Sequence, residues 1–581
     1  MVLRRINALI CDLVLSYLLM YLCLYLKPSQ IPFFSTYFLV LTVYYLVTWL
    51  IFKRSLFQLI FRINIRTNTW AYTLIKLLLV GITPMLPLFF YTIQRITLYK
   101  LLQWTILYML ILIVSNIIIA LITRKSVWQL LAHATVDKEC NINNVKQKRY
   151  YLLGMIVLIV FAFWDMTVVF TKNKTDSQED NLLSILSNEK YAVPISYFAK
   201  QKYIDDINKT KRDPIKYIFD LFEEKDIVII SERMHPEYTQ WQLFSQIILS
   251  DEFAAKVGNV CTEFGLINHQ QDLEDYMATS FDDEEELKRA TACLVRENGG
   301  YWPLWSNKNI HDFILNLHKF NYQKDSSQRI NLFFSDVAMN WDTITNKQQW
   351  NSWGVGRDSI MAEQIMSVYK RLTAENSDRK KILVIENTRH AYKSNTYKLN
   401  ATADYIFKKF PTQTANVYTN TPAISFIPAK MGLWDAAALQ VKDSAWAIDF
   451  NECLLGNDYF DMYQEFNLPG KRYKDVFDGM IYYMHPKKFR VVTGYDYMLD
   501  NFKDTLLRRS AVLGEDYLEV MKNQIKYYEE NNIEDREVPF FKLFNLFYAC
   551  FHFIVLTFLL INLIVLFVKV MCKKTIIAND A

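Results

Sequence analysis

Cysteine is scarce where it would count. Of the eight in 581 residues, only Cys261, Cys293 and Cys453 fall between residues 172 and 540, and an odd number at scattered spacings is neither a disulfide framework nor a CxxC metal or redox motif. Such thiols pack as small hydrophobes. An excess of one charge is lacking too: 65 Lys and Arg stand against 60 Asp and Glu, a formal net charge of +5. That balance gives no reason to expect nucleic acid as a partner. There is no internal repeat of fixed period, and the longest low-complexity tract is the polar linker KNKTDSQEDN at 172–181.

Apolar residues are abundant instead. The chain is 52% hydrophobic and 15% aromatic, long enough for two or more domains and more apolar than an ordinary soluble protein. A membrane-spanning helix needs roughly 20 mostly apolar residues, and the runs at 7–27, 33–52, 71–92, 103–123, 150–171 and 541–568 meet that criterion. The first has no small-residue cleavage site before Pro28 and reads as a retained helix, not a cleaved signal. Basic residues cluster at Arg4 and Arg5, at Lys53 to Arg66, at Arg124 to Arg149, and at Lys573 and Lys574. By the positive-inside rule those ends face the cytoplasm, as do both termini, and the polar segment from about 172 to 540 lies outside.

The first run opens RRINALICDLVL, which puts Arg5, Ala8 and Asp12 on one helical face. An Asp at that depth costs a few kcal/mol unless it is paired. Two readings stand: an Arg5–Asp12 ion pair that sets helix depth, or part of an ion path. This opening, with KRSLFQLIFRINI and WQLLAHATV, resembles the RDD family of bacterial membrane proteins over residues 1–137, although Trp128 and Gln129 replace the family's His and Asp. The resemblance implies a bacterial inner-membrane anchor.

Beyond residue 215 the pattern changes. DIVIIS, GNVCTEF, RINLFFSD, KILVIEN and TANVYT are short, uninterrupted, β-branched or aromatic runs, as in strands buried on both faces. Between them YTQWQLFSQIILSDEF, NIHDFILNLHKF and DSIMAEQIMSVYKRL carry apolar residues at three-to-four spacing. Alternation of this kind predicts an α/β domain with a mostly parallel sheet. The expected fold class is therefore multi-domain, an α-helical bundle of six spans plus that exported domain. Its expected divisions are a four-helix membrane domain at 1–149, a fifth span at 150–171, a linker at 172–215, the α/β domain at 216–520, a connector at 521–540, a sixth span at 541–568 and a tail at 569–581.

In such sheets ligands bind outside the carboxyl ends of the strands. Those ends carry Glu232 and His235, then Glu263, then Asp336, then Asn387 and His390, and Arg357 precedes the helix that leads into the fourth strand. His235 is suited to activating water as general base, Glu232 and Glu263 to orienting it, Arg357 and His390 to stabilising oxyanion charge, and Asp336 and Asn387 to binding. The bland alternative is that the acids cap helices, Arg357 pairs with Asp358 or Glu363, and the histidines are solvated.

SERMHP, TEFG, PLWSNKNIHDFILNLHKFN, NLFFSD, GRDSIMAEQI, VIENTRHAY and FDGMIYY together resemble, in order, the motifs of the erythromycin esterase family over residues 220–492. Ser231 and Pro236 stand where the family has glycine, and Glu386 where it has a histidine. The resemblance implies an ester hydrolase that works through a His-activated water without a cofactor, on a small-molecule or lipid-like substrate. Glu232, His235, Glu263 and His390 would also suit a divalent cation. A ligand-binding sensor and a transporter with an exported accessory domain remain as other readings. The lipid bilayer is the expected partner, and the oligomeric state is open.

Overall fold

The computed structural model describes residues 197–537, apart from 299–301, 376–377, 394–399, 420–436, 439–440, 442–444, 459, 461–470 and 485–487, together with 33–52, 55–60 and scattered positions between 12 and 131. β1 (Ile227–Glu232), β2 (Asn259–Leu266), β3 (Asn331–Asp336), β4 (Ile382–Asn387), β5 (Thr414–Thr419), β6 (Trp446–Asp449) and β7 (Gly479–Tyr482) form a mixed sheet in the order β3-β2-β4-β1-β5-β7-β6. All neighbours pair parallel except β6, which runs antiparallel to β7.

Every residue of β1, β2, β4 and β5 is buried, which is why these runs show no polar alternation. Their side chains divide between two layers. Val228, Ile230, Val260, Leu383 and Ile385 pack with Phe244 and Ile247 of the helix Tyr238–Ile248 and with Phe313 and Ile314 of the helix Lys308–Tyr322. Ile227, Ile229, Cys261, Ile382 and Val384 pack on the other face against Ala362 and Ile365 of the helix Arg357–Ala374. Covered on both sides, the strands have little freedom, and their carboxyl ends are the place where polar side chains emerge. Glu232, Asp336 and Asn387 are the last residues of β1, β3 and β4.

The packed body is longer at both ends than its apolar pattern implies. Tyr203, Ile204 and Ile207 of the helix Tyr197–Thr210 belong to the second layer. At the other end, the expected connector is a continuation of the helix Glu515–Asn531 followed by β9 (Glu534–Glu537), which pairs antiparallel with β8 (Arg490–Thr493).

The membrane expectation is corrected. Among the described residues no helix is long and apolar enough to cross a membrane, so the six-span bundle and the multi-pass inner-membrane location with an exported domain do not stand. An apolar run is a minimum condition for a span, and a buried helix meets it equally well. The run at 33–52 is the helix Phe33–Phe52, in which Tyr44, Tyr45 and Thr48 are buried. The other five runs lie outside the described residues, save isolated positions. So does Arg5, the expected partner of Asp12. Asp12 is buried and accepts hydrogen bonds from the hydroxyls of Tyr44 at 2.5 Å and Ser55 at 2.6 Å.

One glycine shapes the rim. Gly265, at φ +97°, lies where the pairing of β2 with β3 slips between Thr262 and Leu266, two residues after Glu263. A Cβ there would fall 2.2 Å from the ring of the fully buried Phe334. Gly265→Ala therefore meets both an unfavourable φ and an immovable ring, and is expected to lower unfolding free energy by about 2 to 4 kcal/mol in urea titration; a loss under about 0.5 kcal/mol would show the bulge to be relaxed.

Candidate functional site

Two groups of side chains meet at the carboxyl ends of the central strands. The first belongs to β1. Glu232 ends the strand, the chain turns, and the His235 imidazole returns to place Nδ1 2.5 Å from Glu232 Oε2. The other carboxylate oxygen accepts from Trp241 Nε1 at 2.6 Å, so both oxygens of Glu232 are engaged. Asn309 Nδ2 donates to the His235 carbonyl at 2.8 Å, and the Trp305 ring lies tilted against the imidazole at 4.7 Å between centroids. A carboxylate only accepts, so Nδ1 carries the proton and Nε2 the lone pair. The His235 side chain is 27% exposed while Glu232 is 5% exposed. Solvent thus reaches the base but not the acid behind it. Burial lowers the imidazole pKa, but the Glu232 carboxylate in contact and Glu263 beyond it raise it more, and the net shift is upward.

The second group is built on Arg357, the first residue of its helix, reached through Gly356 in the left-handed region at φ +72°. Its guanidinium forks onto Asp336, Nε to Oδ1 at 2.6 Å and Nη2 to Oδ2 at 2.9 Å, and Nη2 also donates to Glu263 Oε1 at 2.9 Å. The planar fork matches a carboxylate in a way that an ammonium does not. The neighbouring Asp358 holds His390 Nδ1 at 2.5 Å and accepts from Thr402 N at 3.0 Å. His390 Nε2 accepts from Arg389 Nε at 2.8 Å and lies 3.3 Å from Glu263 Oε1. The second oxygen of Glu263 accepts from the backbone N–H of Asn387 at 2.8 Å. Burial pushes the Glu263 pKa up, but His390, Arg357 and His235 outweigh it and hold the group well below the usual carboxylate range. Asp358 is likewise lowered, burial being overcome by His390.

The structure thus places Glu232 with His235, and Glu263, Asp336, Arg357 and His390 in one ion cluster whose charges act on His235. Some roles differ from those expected. Glu263 makes no hydrogen bond to His235; it is held by Arg357, the Asn387 backbone and His390. Asp336 is taken up by Arg357 and by the Val337 N–H at 2.8 Å. Asn387 contributes through its main chain, and its side chain accepts from Arg389 N at 3.4 Å. Asp358, Trp241 and Trp305 escaped sequence reasoning as site residues. Asp358 was open to it, as an acid in the first turn of a helix beside Arg357, but nothing local says that it faces a histidine 32 residues on.

Among the described residues no group of three or more His, Cys, Asp or Glu is arranged to hold a metal ion, and Arg357 between Asp336 and Glu263 brings the positive charge that a cation would supply. A cavity of about 350 Å³ lined by Val520, Asn523, Gln524, Tyr527, Tyr528 and Glu534 lies elsewhere and includes none of these residues.

No family model matches the chain, and no curated protein matches it significantly. Solved structures with partial similarity include a protein from Bacillus cereus (TM-score 0.33, 9% identity, 49% of this chain and 97% of that one), a succinoglycan biosynthesis protein (0.32, 8%, 49% and 97%) and the type III effector HopBA1 (0.25, 13%, 37% and 85%). Likeness at this level carries no statement about function.

Removing Arg357 would leave Asp336 and Glu263 buried without their cation. Arg357→Leu is expected to cost about 3 to 5 kcal/mol of stability and Arg357→Lys less, because a charge remains without the fork. Acid should act on the same cluster. Glu263 and Asp358 have lowered native pKa values, so their stabilisation is full above the unfolded-state values of about 4 and is lost as pH falls through and below them. Thermal unfolding of the parent should therefore drop steeply below about pH 4, and a midpoint flat down to pH 3 would contradict the charge assignment.

Proposed function

We propose that this chain is a hydrolase that cleaves an ester-type bond with a water activated by His235. The observation that carries the reading is the Glu232–His235 contact, which fixes one imidazole nitrogen on a buried carboxylate and leaves the other toward solvent beside a cluster of fixed charge. Water at Nε2 gives up its proton as it attacks the carbonyl carbon, and Glu232 stabilises the imidazolium that forms. Arg357 supplies positive charge to the oxyanion as the tetrahedral intermediate develops, with His390, held by Asp358, beside it. Collapse breaks the bond to the alkoxy oxygen, and the imidazolium returns the proton to that leaving group. The erythromycin-esterase-like motifs at SERMHP, TEFG and GRDSIMAEQI assign the same residues to this chemistry. The substrate class in keeping with them is a small-molecule or lipid-like ester.

A second reading, a domain that binds a ligand without turnover, draws on one observation. The Arg357 fork is already engaged by Asp336 and Glu263, which reduces the field that it can offer to a substrate oxyanion.

Hydrolysis of a p-nitrophenyl ester by the full chain separates the two. His235→Ala is expected to lower kcat at least about 10²-fold, with an unfolding midpoint close to the parent's, and Glu232→Gln to retain partial activity, since an amide still orients the ring. Unchanged turnover in His235→Ala would refute the base assignment. The pH dependence gives a further check. Catalysis needs the neutral imidazole, and its pKa is raised, so kcat/KM should fall on the acid side of a limb lying above about 6.5. Glu232→Gln removes the raising charge and should move that limb to lower pH; a limb that stays in place would show that Glu232 does not tune His235.

A further inference from the structure

Glu386 stands apart from the other carboxyls of the rim. It is fully buried near the end of β4. Among the described residues neither of its oxygens has a hydrogen-bond partner, whereas Glu232, Glu263, Asp336 and Asp358 are each held by named donors. Strand register explains its company. Thr262 of β2 pairs with Ile385 of β4, so the next residues along the two parallel strands are Glu263 and Glu386. Both continue the face on which Cys261 and Val384 pack, beneath the helix Arg357–Ala374. The charged and titratable groups that act on it are Glu263 and Cys261 on β2, Asp336 on β3, and Arg357 and Asp358 on that helix.

Adjacent carboxyls in a buried site cannot both ionise. Their surroundings decide which one does. Glu263 is in contact with Arg357, His390 and a backbone N–H; Glu386 is hydrogen-bonded to none of these. Burial first, then the Glu263 carboxylate, push the Glu386 pKa well above the usual range.

We propose that Glu386 is a positioning residue for the Arg357 cluster: lying beside Glu263 with no hydrogen-bond donor of its own, it leaves Glu263 to Arg357 and His390 as the neutral acid, and a second carboxylate in its place would oppose Glu263 and draw Arg357 out of place. The role in catalysis rests on the hydrolase reading above; the charge arrangement does not. Glu386 releases its proton to solvent and touches no reacting atom.

The variant that tests this is Glu386→Gln, which keeps the shape and a neutral donor but cannot ionise. In the full chain, the parent's hydrolysis rate should fall by about tenfold for each pH unit beyond the point where Glu386 ionises, and this falling limb should be absent in Glu386→Gln while the acid limb set by His235 remains. The same falling limb in both proteins would overturn the proposal. If the chain hydrolyses no ester, the hydrolase reading fails but the inference is still decided spectroscopically. With arginines labelled with ¹⁵N, the Arg357 Nε–H resonance should shift as pH rises through the Glu386 titration in the parent and stay fixed in Glu386→Gln. A resonance that moves alike in both, or in neither, would overturn it. Thermal unfolding adds a check on the charge state. A native pKa raised above the unfolded value of about 4.3 means stability lost progressively as pH rises from there, so Glu386→Gln should gain on the parent with increasing pH, and a constant difference would show that Glu386 is not held neutral.

Discussion

One guanidinium shared between two strand-end carboxylates governs the rim. Arg357 joins Asp336 at the end of β3 to Glu263 on β2, and Glu263 in turn ties in β4 through the Asn387 N–H. Three adjacent strands thus present one charged unit. Charges buried this deeply cost several kcal/mol each unless they are paired with good geometry. The fork meets that requirement only because the helix starts at Arg357, after the left-handed Gly356. The same helix start puts Asp358 on His390, so one turn of helix organises both the cation and the second imidazole.

The sheet makes this arrangement hold. Strands covered on both faces are fixed by packing, and their last residues inherit that fixity. β1 delivers Glu232 and, through a short turn, His235. Trp241 on the following helix locks Glu232 from behind, while Asn309 and Trp305 bear on His235 from other elements. General-base chemistry needs placement of this kind, since proton transfer works over roughly 2.6 to 3.2 Å between heavy atoms. The charges also differ between the two groups: Arg357 and His390 hold the Glu263 pKa down, and Glu232 raises that of His235.

Much of this was legible in the chain. The apolar runs DIVIIS, GNVCTEF, RINLFFSD, KILVIEN and TANVYT lie on β1 to β5, because two-sided burial leaves a continuous apolar signal that needs no partner to be seen. The Glu232–His235 spacing was legible for the same reason: both residues lie within one turn of a single strand end. Contacts between distant elements were not. That Glu263 is claimed by Arg357 and not by His235 depends on a slip in strand register at Gly265 and on where a helix begins, neither of which is encoded near Glu263. Glu386 reads locally as one more strand-end acid; only its pairing beside Glu263 shows that it must be neutral. The expected spans show the opposite limit. Hydropathy counts residues and does not see Tyr44 and Ser55 turning their hydroxyls onto Asp12.

The central claim is that His235 delivers water directly to an ester carbonyl, with the carboxylates acting as holders and not as nucleophiles. Single-turnover hydrolysis in ¹⁸O-enriched water, with the full chain in excess over ester, tests it most directly. Direct attack predicts that the acid released in the first turnover carries the label and that no side-chain carboxylate does. Unlabelled acid in that first turnover, with ¹⁸O appearing in Glu232 or Glu263, would contradict the account.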